Sequence, residues 1–488
     1  MDIFNEIARL GSDELWSWIV VPVLIGLGVY FTARTGVVQV RWIPEMFRTL
    51  KDKTPTNEDG TPQSTSAFQA FTISAASRVG VGTIAGVGTA IAIGGPGAVF
   101  WMWAMALLGG AASFVESTLG QLYKVRDHVG FRGGPAYYMM YGLRSRGLGI
   151  VFAVIMIATF PFAFSSLQAN TISATVTNSL HVDLPWLPAA IGIVVAILAS
   201  LVIFGGVRRI ATVSQSVVPL MALLYLLVGL VVVALNITHL PEVFGMIFSQ
   251  AFGFTSFAGG GLGVIIMTGI KRGMFSNEAG LGSAPNAGAT AAVTHPVKQG
   301  LVQTLGVYFD TFLVCTVTAF IILVANPNLE GARPGIALTQ QAMVENLGSW
   351  SNILLTVIIF LLAFTSILGN YYYGEANIEF ITSSARVLLS YRVLVILAVL
   401  VGSIASADLI WNLADGIMGI MALINLVSIA LLSGVAFKLM KDYADQRRAG
   451  LDPVFTRDRL PEIRGISCWQ DEASVTGTIT LPKTPVSD

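Results

Sequence analysis

The sequence predicts an all-α protein that crosses a membrane eleven times. Of its 488 residues, 54% are hydrophobic and only 11% are Asp, Glu, Lys or Arg, whereas soluble domains carry about 25% charged residues. Apolar runs of about 20 residues, the length that spans a bilayer as a helix, recur along the chain. This number of charged residues is too small to form the water-facing surface of a soluble protein of this length. The composition therefore excludes a basic nucleic-acid-binding protein and argues against a soluble enzyme.

The prediction rests on eleven apolar runs, which are separated by shorter polar stretches. The first run follows Asp2 and Glu6 and is long enough to span, so it is not a secretory signal. The predicted spans are residues 14–33, 67–93, 98–122, 148–179, 185–205, 212–236, 255–273, 301–325, 350–373, 391–407 and 412–437.

The positive charges give the orientation. With these spans, 25 of the 28 Lys and Arg residues lie on one side of the membrane, including Lys271 and Arg272, while two lie on the other side and Arg78 lies inside a span. Positively charged loops stay in the cytoplasm. We therefore expect an outside N-terminus, a cytoplasmic C-terminus, and a plasma membrane location such as a bacterial inner membrane.

Two polar segments differ in composition from the spans. Residues 441–488 contain four prolines and show no amphipathic period, so they are predicted to form a mostly irregular or disordered cytoplasmic tail. Residues 51–65 are predicted to be a cytoplasmic loop of the same kind.

Glycine clusters interrupt two of the spans, one at residues 80–88 and one at residues 257–263. Each cluster could permit close helix packing or mark a break in the helix, since each glycine weakens a helix by about 1 kcal/mol. When the first span is set aside, each cluster falls in the first span of a group of five. Because five is odd, the groups have opposite orientations, which predicts inverted repeats with a binding site between two broken helices.

The predicted organisation follows from this pattern. Residues 1–65 form an extra helix and loop, 66–236 the first repeat, 237–440 the second and 441–488 the tail. At a helix break, free N–H groups attract a carboxylate and free carbonyls attract a cation or an ammonium group. Such a site suits a zwitterion together with Na⁺. The glycines at 80–86 are not a dinucleotide fingerprint, because no strand precedes them.

Three stretches resemble one known family. They read SRVGVGTIAGV at 77–87 followed by AIAIGGPG at 90–97, KRGMFSNEAGLGSAPNA at 271–287, and FTSILG at 364–369 with YYGE at 372–375. In these stretches the chain resembles the alanine or glycine:cation symporters. The resemblance implies a LeuT-type core of five plus five spans with one extra N-terminal helix. It also implies uptake of small neutral amino acids driven by Na⁺, or by H⁺ in some members.

The resemblance also implies a substrate site. The N–H groups of Gly80, Val81 and Gly82 would meet the substrate carboxylate, with Thr83 next to them. The other break would meet the amino group, and its lining residues would be Thr255, Ser256, Phe257, Ala258 and Gly259. The Gln168 amide could bond the substrate or, equally well, a neighbouring helix.

A Na⁺ site is implied next to the first break. Its ligands would be the carbonyl oxygens of Ala76, Val79 and Leu362 and the hydroxyl groups of Thr365 and Ser366. Oxygen ligands suit a hard cation. Alternatively, both hydroxyls simply bond to preceding carbonyls of their own helix.

Two positions depart from the family pattern. Thr83 stands where the family usually has Asn, and it lacks the amide that a second cation site would use. Asn370 stands where the family often has Trp, one helical turn after Ser366 and on the same face. Asn370 in place of Trp would make the pocket roomier and more polar. Alanine, glycine and serine are the candidate substrates, with glutamine or another larger neutral amino acid as the alternative.

Charged residues inside spans mark functional or structural sites. Glu116 is predicted to cap free N–H groups near the breaks. Asp310 is predicted either to partner Arg78 or to bond a neighbouring helix, and Arg78 is predicted to have an acidic or carbonyl partner. Glu278 is assigned to a cytoplasmic turn as a helix-capping and gate residue.

The favoured function is Na⁺-coupled symport of a small neutral amino acid by alternating access across a lipid bilayer. H⁺ coupling is an alternative, and a sensor that binds an amino acid without transporting it is an alternative from another class. The four histidines lie in loops without metal-ligand spacing, and Cys315 and Cys468 indicate neither a disulfide nor a metal site. An enzyme is therefore not favoured.

Overall fold

The computed structural model describes residues 13–57, 60–127, 130–180, 182, 184–253, 261–329, 331–332 and 334–477. These residues are mostly helical, with one antiparallel ribbon of β1 (Val125–Arg126) and β2 (Phe131–Arg132). The predicted all-α membrane class is confirmed. The helices are α1 (Asp13–Arg34), α2 (Val38–Arg41), α3 (Ile43–Leu50), α4 (Ala67–Arg78), α5 (Gly82–Gly94), α6 (Gly97–Leu122), α7 (Pro135–Tyr141), α8 (Arg146–Leu180), α9 (Leu187–Ile203), α10 (Gly206–Leu235), α11 (Leu240–Ala251), α12 (Leu262–Asn277), α13 (Ala284–Gly288), α14 (Pro296–Val324), α15 (Ile336–Leu347), α16 (Trp350–Ile381), α17 (Ala385–Ile404), α18 (Ala407–Arg448) and α19 (Glu472–Thr476).

Ten of the predicted spans coincide with one of these helices or with a helix pair, and the seventh, 255–273, is described only from residue 261 onward, where it coincides with α12. Within the described ranges, eight helices are long and apolar enough to cross a membrane, and α4 with α5 makes a ninth as a bent pair. Helices α9 and α12 are shorter, at 17 and 16 residues. The number of crossings, eleven, stays a prediction.

Helix α6 forms the centre of the molecule, where it packs against α12 and α14. Its second half is buried on all sides, including the charged Glu116. Helix α10, by contrast, exposes large apolar side chains, with Leu220 63% and Leu230 59% exposed. Exposure of such a row of large apolar side chains to water would be unfavourable, so this face of α10 is suited to contact lipid.

Residues 449–477 are largely irregular, as predicted for the C-terminal segment, but they pack against the rest of the protein and are not disordered. Helix α18 continues to Arg448, and residues 449–477 then fold back over the ends of the other helices. The side chains of Phe455 and Trp469 are buried, 0% and 1% exposed. The composition of the segment hid this, because two large aromatic anchors can hold a polar segment whose average hydrophobicity is low.

Hydrogen bonds and ion pairs attach this segment to three parts of the fold. The indole nitrogen of Trp469 donates to the carbonyl of Leu122 at the end of α6, at 3.0 Å. The Phe455 N–H donates to the Thr294 carbonyl at 2.8 Å. Lys298 Nζ lies 2.9 Å from Asp452. The segment therefore covers the ends of α6 and α14.

Candidate functional site

The first predicted break is present. Helix α4 starts with a capping box, in which Ser66 and Gln69 each bond the other's backbone N–H, and it ends at Arg78. The chain resumes as α5 at Gly82 with a change of direction of 51°. The Gly80 carbonyl accepts the hydroxyl of Thr83 at 2.7 Å, so this predicted substrate residue bonds within the break.

Close packing explains the glycine at position 80. A Cβ at this position would lie 2.2 Å from Ser366 Oγ and 3.0 Å from Gln168 Oε1. The Val81 N–H donates to the same Gln168 oxygen at 3.0 Å. Of the two roles predicted for Gln168, the structure shows the contact with a neighbouring helix, and this contact uses one of the N–H groups predicted for a substrate carboxylate.

Four of the five predicted cation ligands lie together. Ser366 Oγ is 2.7 Å from the Ala76 carbonyl and 3.0 Å from the Leu362 carbonyl. Thr365 Oγ1 is also 3.0 Å from the Leu362 carbonyl. The fifth, Val79, is buried at the bend itself. Both hydroxyls do bond back to their own helix, as the alternative predicted, but Ser366 also reaches across to α4.

The predicted break at residues 257–263 stays a prediction, because residues 254–260 lie outside the described part of the chain. Residues 255–259 lie outside the described residues, and α12 begins only at Leu262. The break that the structure shows lies after α12, at residues 278–283. Glu278, Gly280 and Gly282 there have φ angles of 57°, 82° and 81°, which glycine adopts readily and other residues rarely.

Glu278 caps the end of α12, as predicted, but its assignment to a turn at the cytoplasmic surface was wrong. Its side chain is 1% exposed, and one carboxyl oxygen lies 2.5 Å from the Ser77 hydroxyl, in the last turn of α4. The other oxygen accepts the Ser283 hydroxyl at 2.6 Å. Glu278 therefore joins the two breaks, which lie face to face in the interior.

Asn370 lies at the same junction. Its Oδ1 atom is 2.7 Å from the Ser77 hydroxyl, and the side chain is 1% exposed. Its Nδ2 atom has no hydrogen-bond partner within the described part of the chain. A buried amide N–H left unpaired costs about 1–3 kcal/mol, so this group is suited to bind a polar ligand group.

Glu116 holds the second break in place. Its two carboxylate oxygens accept the N–H groups of Gly280 and Gly282 at 3.1 and 3.0 Å, and Asn425 of α18 donates to it at 2.7 Å. Asn425 also donates to the Gly280 carbonyl at 2.9 Å. The backbone groups that the break frees are thus satisfied by α6 and α18.

The other buried charges are placed near the breaks. Arg78 donates to the Gln303 carbonyl at 3.0 Å, a carbonyl partner of the kind predicted, and makes no ion pair among the described residues. Asp310 accepts the hydroxyl of Ser276 at 2.9 Å. It therefore bonds a neighbouring helix, α12, while the charge of Arg78 acts on it from farther away.

The assignment of Lys271 and Arg272 to a cytoplasmic loop was also wrong. Both lie inside α12 and are less than one-tenth exposed. Arg272 forms an ion pair with Asp415 of α18 at 2.6 Å, and Lys271 lies 2.9 Å from the same carboxylate. Sequence spacing gave no signal for this cluster, because Asp415 is about 140 positions away.

Two cavities lie on opposite sides of the first break. A narrow cavity with no room for a water molecule lies between the break and α15, and its lining includes Gly80, Ile336 and Ile359. A wide cavity of about 610 Å³ lies near the start of α4. It is lined by polar and charged residues that include Arg132, Arg208, Tyr372, Glu375, Glu379 and Arg392.

A broken span that contacts a second irregular segment, next to a cluster of oxygen donors, is an arrangement typical of secondary transporters. Comparisons with known proteins agree. The sequence profile described as the sodium:alanine symporter family matches residues 1–457. The chain therefore belongs to the sodium:alanine symporter family, and it is a membrane protein that couples amino-acid transport to Na⁺.

Individual relatives cover nearly the full chain. The amino-acid carrier protein AlsT of Bacillus subtilis is 51% identical over 96% of this chain and 98% of its own. The probable sodium/glutamine symporter GlnT of the same organism is 46% identical over 98% of both chains. The crystal structure of MhsT in complex with L-phenylalanine matches 78% of this chain and 98% of its own, with a TM-score of 0.57 and 14% identity, which shows a shared LeuT-type fold.

Proposed function

We propose that this chain imports a small neutral amino acid together with Na⁺, across the cytoplasmic membrane of a bacterium, by alternating access. The observation that carries the proposal is the direct contact of the two breaks at Ser77 and Glu278, beside the oxygen cluster at Ser366. In this mechanism the chain makes and breaks no covalent bond. Its residues bind and release the amino acid and Na⁺, and they exclude water from the site.

The proposed substrate site extends from one break to the other. The carboxylate binds at the N–H groups of Gly80, Val81 and Gly82, where it takes over the N–H that Gln168 accepts. The amino group binds toward the second break. Residues 255–259, predicted for this end, lie outside the described residues. Residues 279–283, which follow Glu278 at its contact with Ser77, are the candidates within the described residues.

The proposed Na⁺ site is the oxygen cluster. Carbonyl oxygens of Ala76, Val79 and Leu362 and the hydroxyls of Thr365 and Ser366 supply neutral oxygen ligands, which suit Na⁺. The cluster joins α4, which carries the first break, to α16. Na⁺ bound there would stabilise the bent form of α4 and so favour substrate binding.

The two cavities support alternating access. With the N-terminus outside and the C-terminus in the cytoplasm, the wide cavity opens on the cytoplasmic side, and its volume of about 610 Å³ is within the usual range of about 300–1,000 Å³ for ligand sites. The outer side is closed where Thr339 of α15 donates to the Ile84 carbonyl at 3.4 Å. We propose that the wide cavity is the route of release.

Alanine, glycine and serine are the proposed substrates, and glutamine is the second candidate. The unpaired amide nitrogen of Asn370 favours a substrate with a polar group. A relative that shares 46% identity is named a probable sodium/glutamine symporter, which supports the second candidate.

Uptake by the purified full-length protein in proteoliposomes tests the proposal. Labelled alanine should accumulate when an inward Na⁺ gradient is imposed, and competition by each of the twenty amino acids then ranks the substrates. Counterflow separates transport from sensing: saturable binding without exchange would show a sensor. If a proton gradient without Na⁺ drove the same accumulation, the assignment of Na⁺ as the coupling ion would be wrong.

A further inference from the structure

A chain of hydrogen bonds connects four buried side chains across the two breaks. Ser283 Oγ lies 2.6 Å from one carboxyl oxygen of Glu278, the other lies 2.5 Å from Ser77 Oγ, and that hydroxyl lies 2.7 Å from Asn370 Oδ1. Each of these side chains is at most 5% exposed. The chain runs from the second break through α4 to α16, so a change at one end reaches the other.

The number of hydrogens limits the arrangements of this chain. The Ser77 hydroxyl has one hydrogen, yet it lies against two oxygen atoms, Glu278 Oε1 and Asn370 Oδ1. If Glu278 is protonated, its O–H donates to Ser77, which donates to Asn370 Oδ1. If Glu278 is ionised, Ser77 donates to it, and the amide of Asn370 must turn so that Nδ2 donates to Ser77.

Charge also favours a proton in this region. Arg78 is the positive group that acts on three buried carboxyl groups, those of Glu116, Glu278 and Asp310. If all three are ionised, the cluster has a net charge of −2, which is costly away from water. Glu116 accepts three N–H donors. Glu278 has three hydroxyl neighbours, those of Ser77, Ser283 and Tyr373, and the hydrogen of Ser77 is shared with Asn370.

We propose that Glu278 binds a proton and that this proton sets which end of the Asn370 amide faces the substrate. The inference rests on the proposed function, because it takes Asn370 as part of the substrate pocket. Protonated Glu278 leaves Nδ2 of Asn370 facing the pocket, where it donates to the substrate carboxylate near the first break. Ionised Glu278 turns the carbonyl oxygen of Asn370 toward that carboxylate instead, which is repulsive. Glu278 is thus a positioning residue that acts through Ser77.

The pH dependence of uptake tests this role. With saturating Na⁺ in proteoliposomes, the apparent affinity of the full-length protein for labelled alanine should fall about tenfold from mildly acidic to mildly alkaline pH. In Glu278→Gln, which is neutral at every pH, this dependence should be lost while Na⁺ stimulation persists. The matched control is Glu242→Gln, an exposed carboxylate at the start of α11, which should keep the wild-type pH profile.

Two further measurements keep the test decisive if Glu278→Gln does not fold. Ser77→Ala interrupts the same chain and should also flatten the pH profile. Infrared difference spectra of the wild-type protein should show a protonated carboxyl band that the Glu278→Gln or Ser77→Ala variant loses or shifts. An unchanged pH profile in both variants would overturn the role of Glu278. Absence of Na⁺-driven uptake by the wild type would instead overturn the proposed function.

Discussion

The hydroxyl oxygen of Ser77 lies 2.5 Å from a carboxyl oxygen of Glu278, although the two residues are 201 positions apart in the chain. Ser77 is in the last turn before the first break, and Glu278 is the first residue of the second. This contact places two irregular backbone segments against each other inside the protein, where their free N–H and C=O groups are protected from lipid.

Gly80→Ala should reduce uptake at least about tenfold, because the new Cβ would lie 2.2 Å from Ser366 Oγ and displace the first break. Transport of labelled alanine per unit of folded protein is the measurement. Gly86→Ala is the control on the same bent pair, since a Cβ there meets nothing within 4 Å. Equal losses in the two variants would contradict a special role for position 80.

The double variant Thr365→Ala with Ser366→Ala should lose Na⁺ stimulation of uptake, because it removes both hydroxyl oxygens near the Leu362 carbonyl. The Na⁺ dependence of initial rates is the measurement. Ser216→Ala is a suitable control: its hydroxyl also bonds to the preceding turn, at 3.0 Å from the Thr212 carbonyl, but on an exposed face. Stimulation of normal strength in the double variant would mean that Na⁺ binds elsewhere.

Asn370→Trp should shift the substrate range toward alanine and glycine, because a larger side chain at this buried position shortens the pocket. Competition by glutamine and other large amino acids should weaken at least about tenfold relative to alanine. Asn370→Leu removes the amide without adding an indole and separates polarity from size. An unchanged competition profile for both variants would place Asn370 outside the pocket.

Trp469→Ala should release the C-terminal segment, because this indole is 1% exposed and its N–H holds the Leu122 carbonyl. Removing a fully buried Trp costs about 3–5 kcal/mol. Limited proteolysis should then cleave residues 449–477 faster, which gel electrophoresis detects. Leu451→Ala, at a residue that is 56% exposed, should be cleaved like the wild type; rapid cleavage of the wild type would show that the segment is not held.

Acid should loosen the same region through His295. Burial holds the pKa of His295 at about 4, below its ordinary 6.5, although Asp442 opposes the shift. The unfolded chain therefore takes up the proton first, and the contribution of neutral His295 to stability is complete above pH 6.5 and is lost as the pH falls toward 4. Thermal unfolding between these pH values should show a falling midpoint in the wild type and a flatter profile in His295→Gln. Asp442, whose pKa is lowered from 3.8 to about 2, keeps its contribution to stability over this range and loses it only as the pH falls below its ordinary pKa toward 2.

Much of the site could be anticipated from local patterns. The first break follows from glycines at 80, 82 and 86 inside an apolar span, since they weaken the helix where it must bend. The residues predicted for Na⁺ are close in space because Ser366 and Leu362 are one turn apart on α16. Their binding role stays a prediction.

The glycine-rich stretch at 257–263 gave the stronger local signal, and a break there stays a prediction because most of it lies outside the described residues. The interruption between α12 and α13, at residues 278–283, could not be located from local patterns. Its position depends on Glu116 and Asn425, which satisfy the freed backbone groups from two other helices. Glu116, Asn425 and residues 278–283 are too far apart in the chain for a local sequence pattern to include all of them.

The amino-acid sequence by itself determined the helical membrane class and the position of the first break, because apolar periodicity and glycine act within a few residues of where they occur. Only the tertiary structure decided that Glu278 meets Ser77, that Asp415 pairs with Lys271 and Arg272, and that Trp469 anchors an otherwise polar segment. The physical reason is that a buried charge or an unpaired backbone group is stabilised by whichever partner the packing brings close, and those partners are distant in the chain.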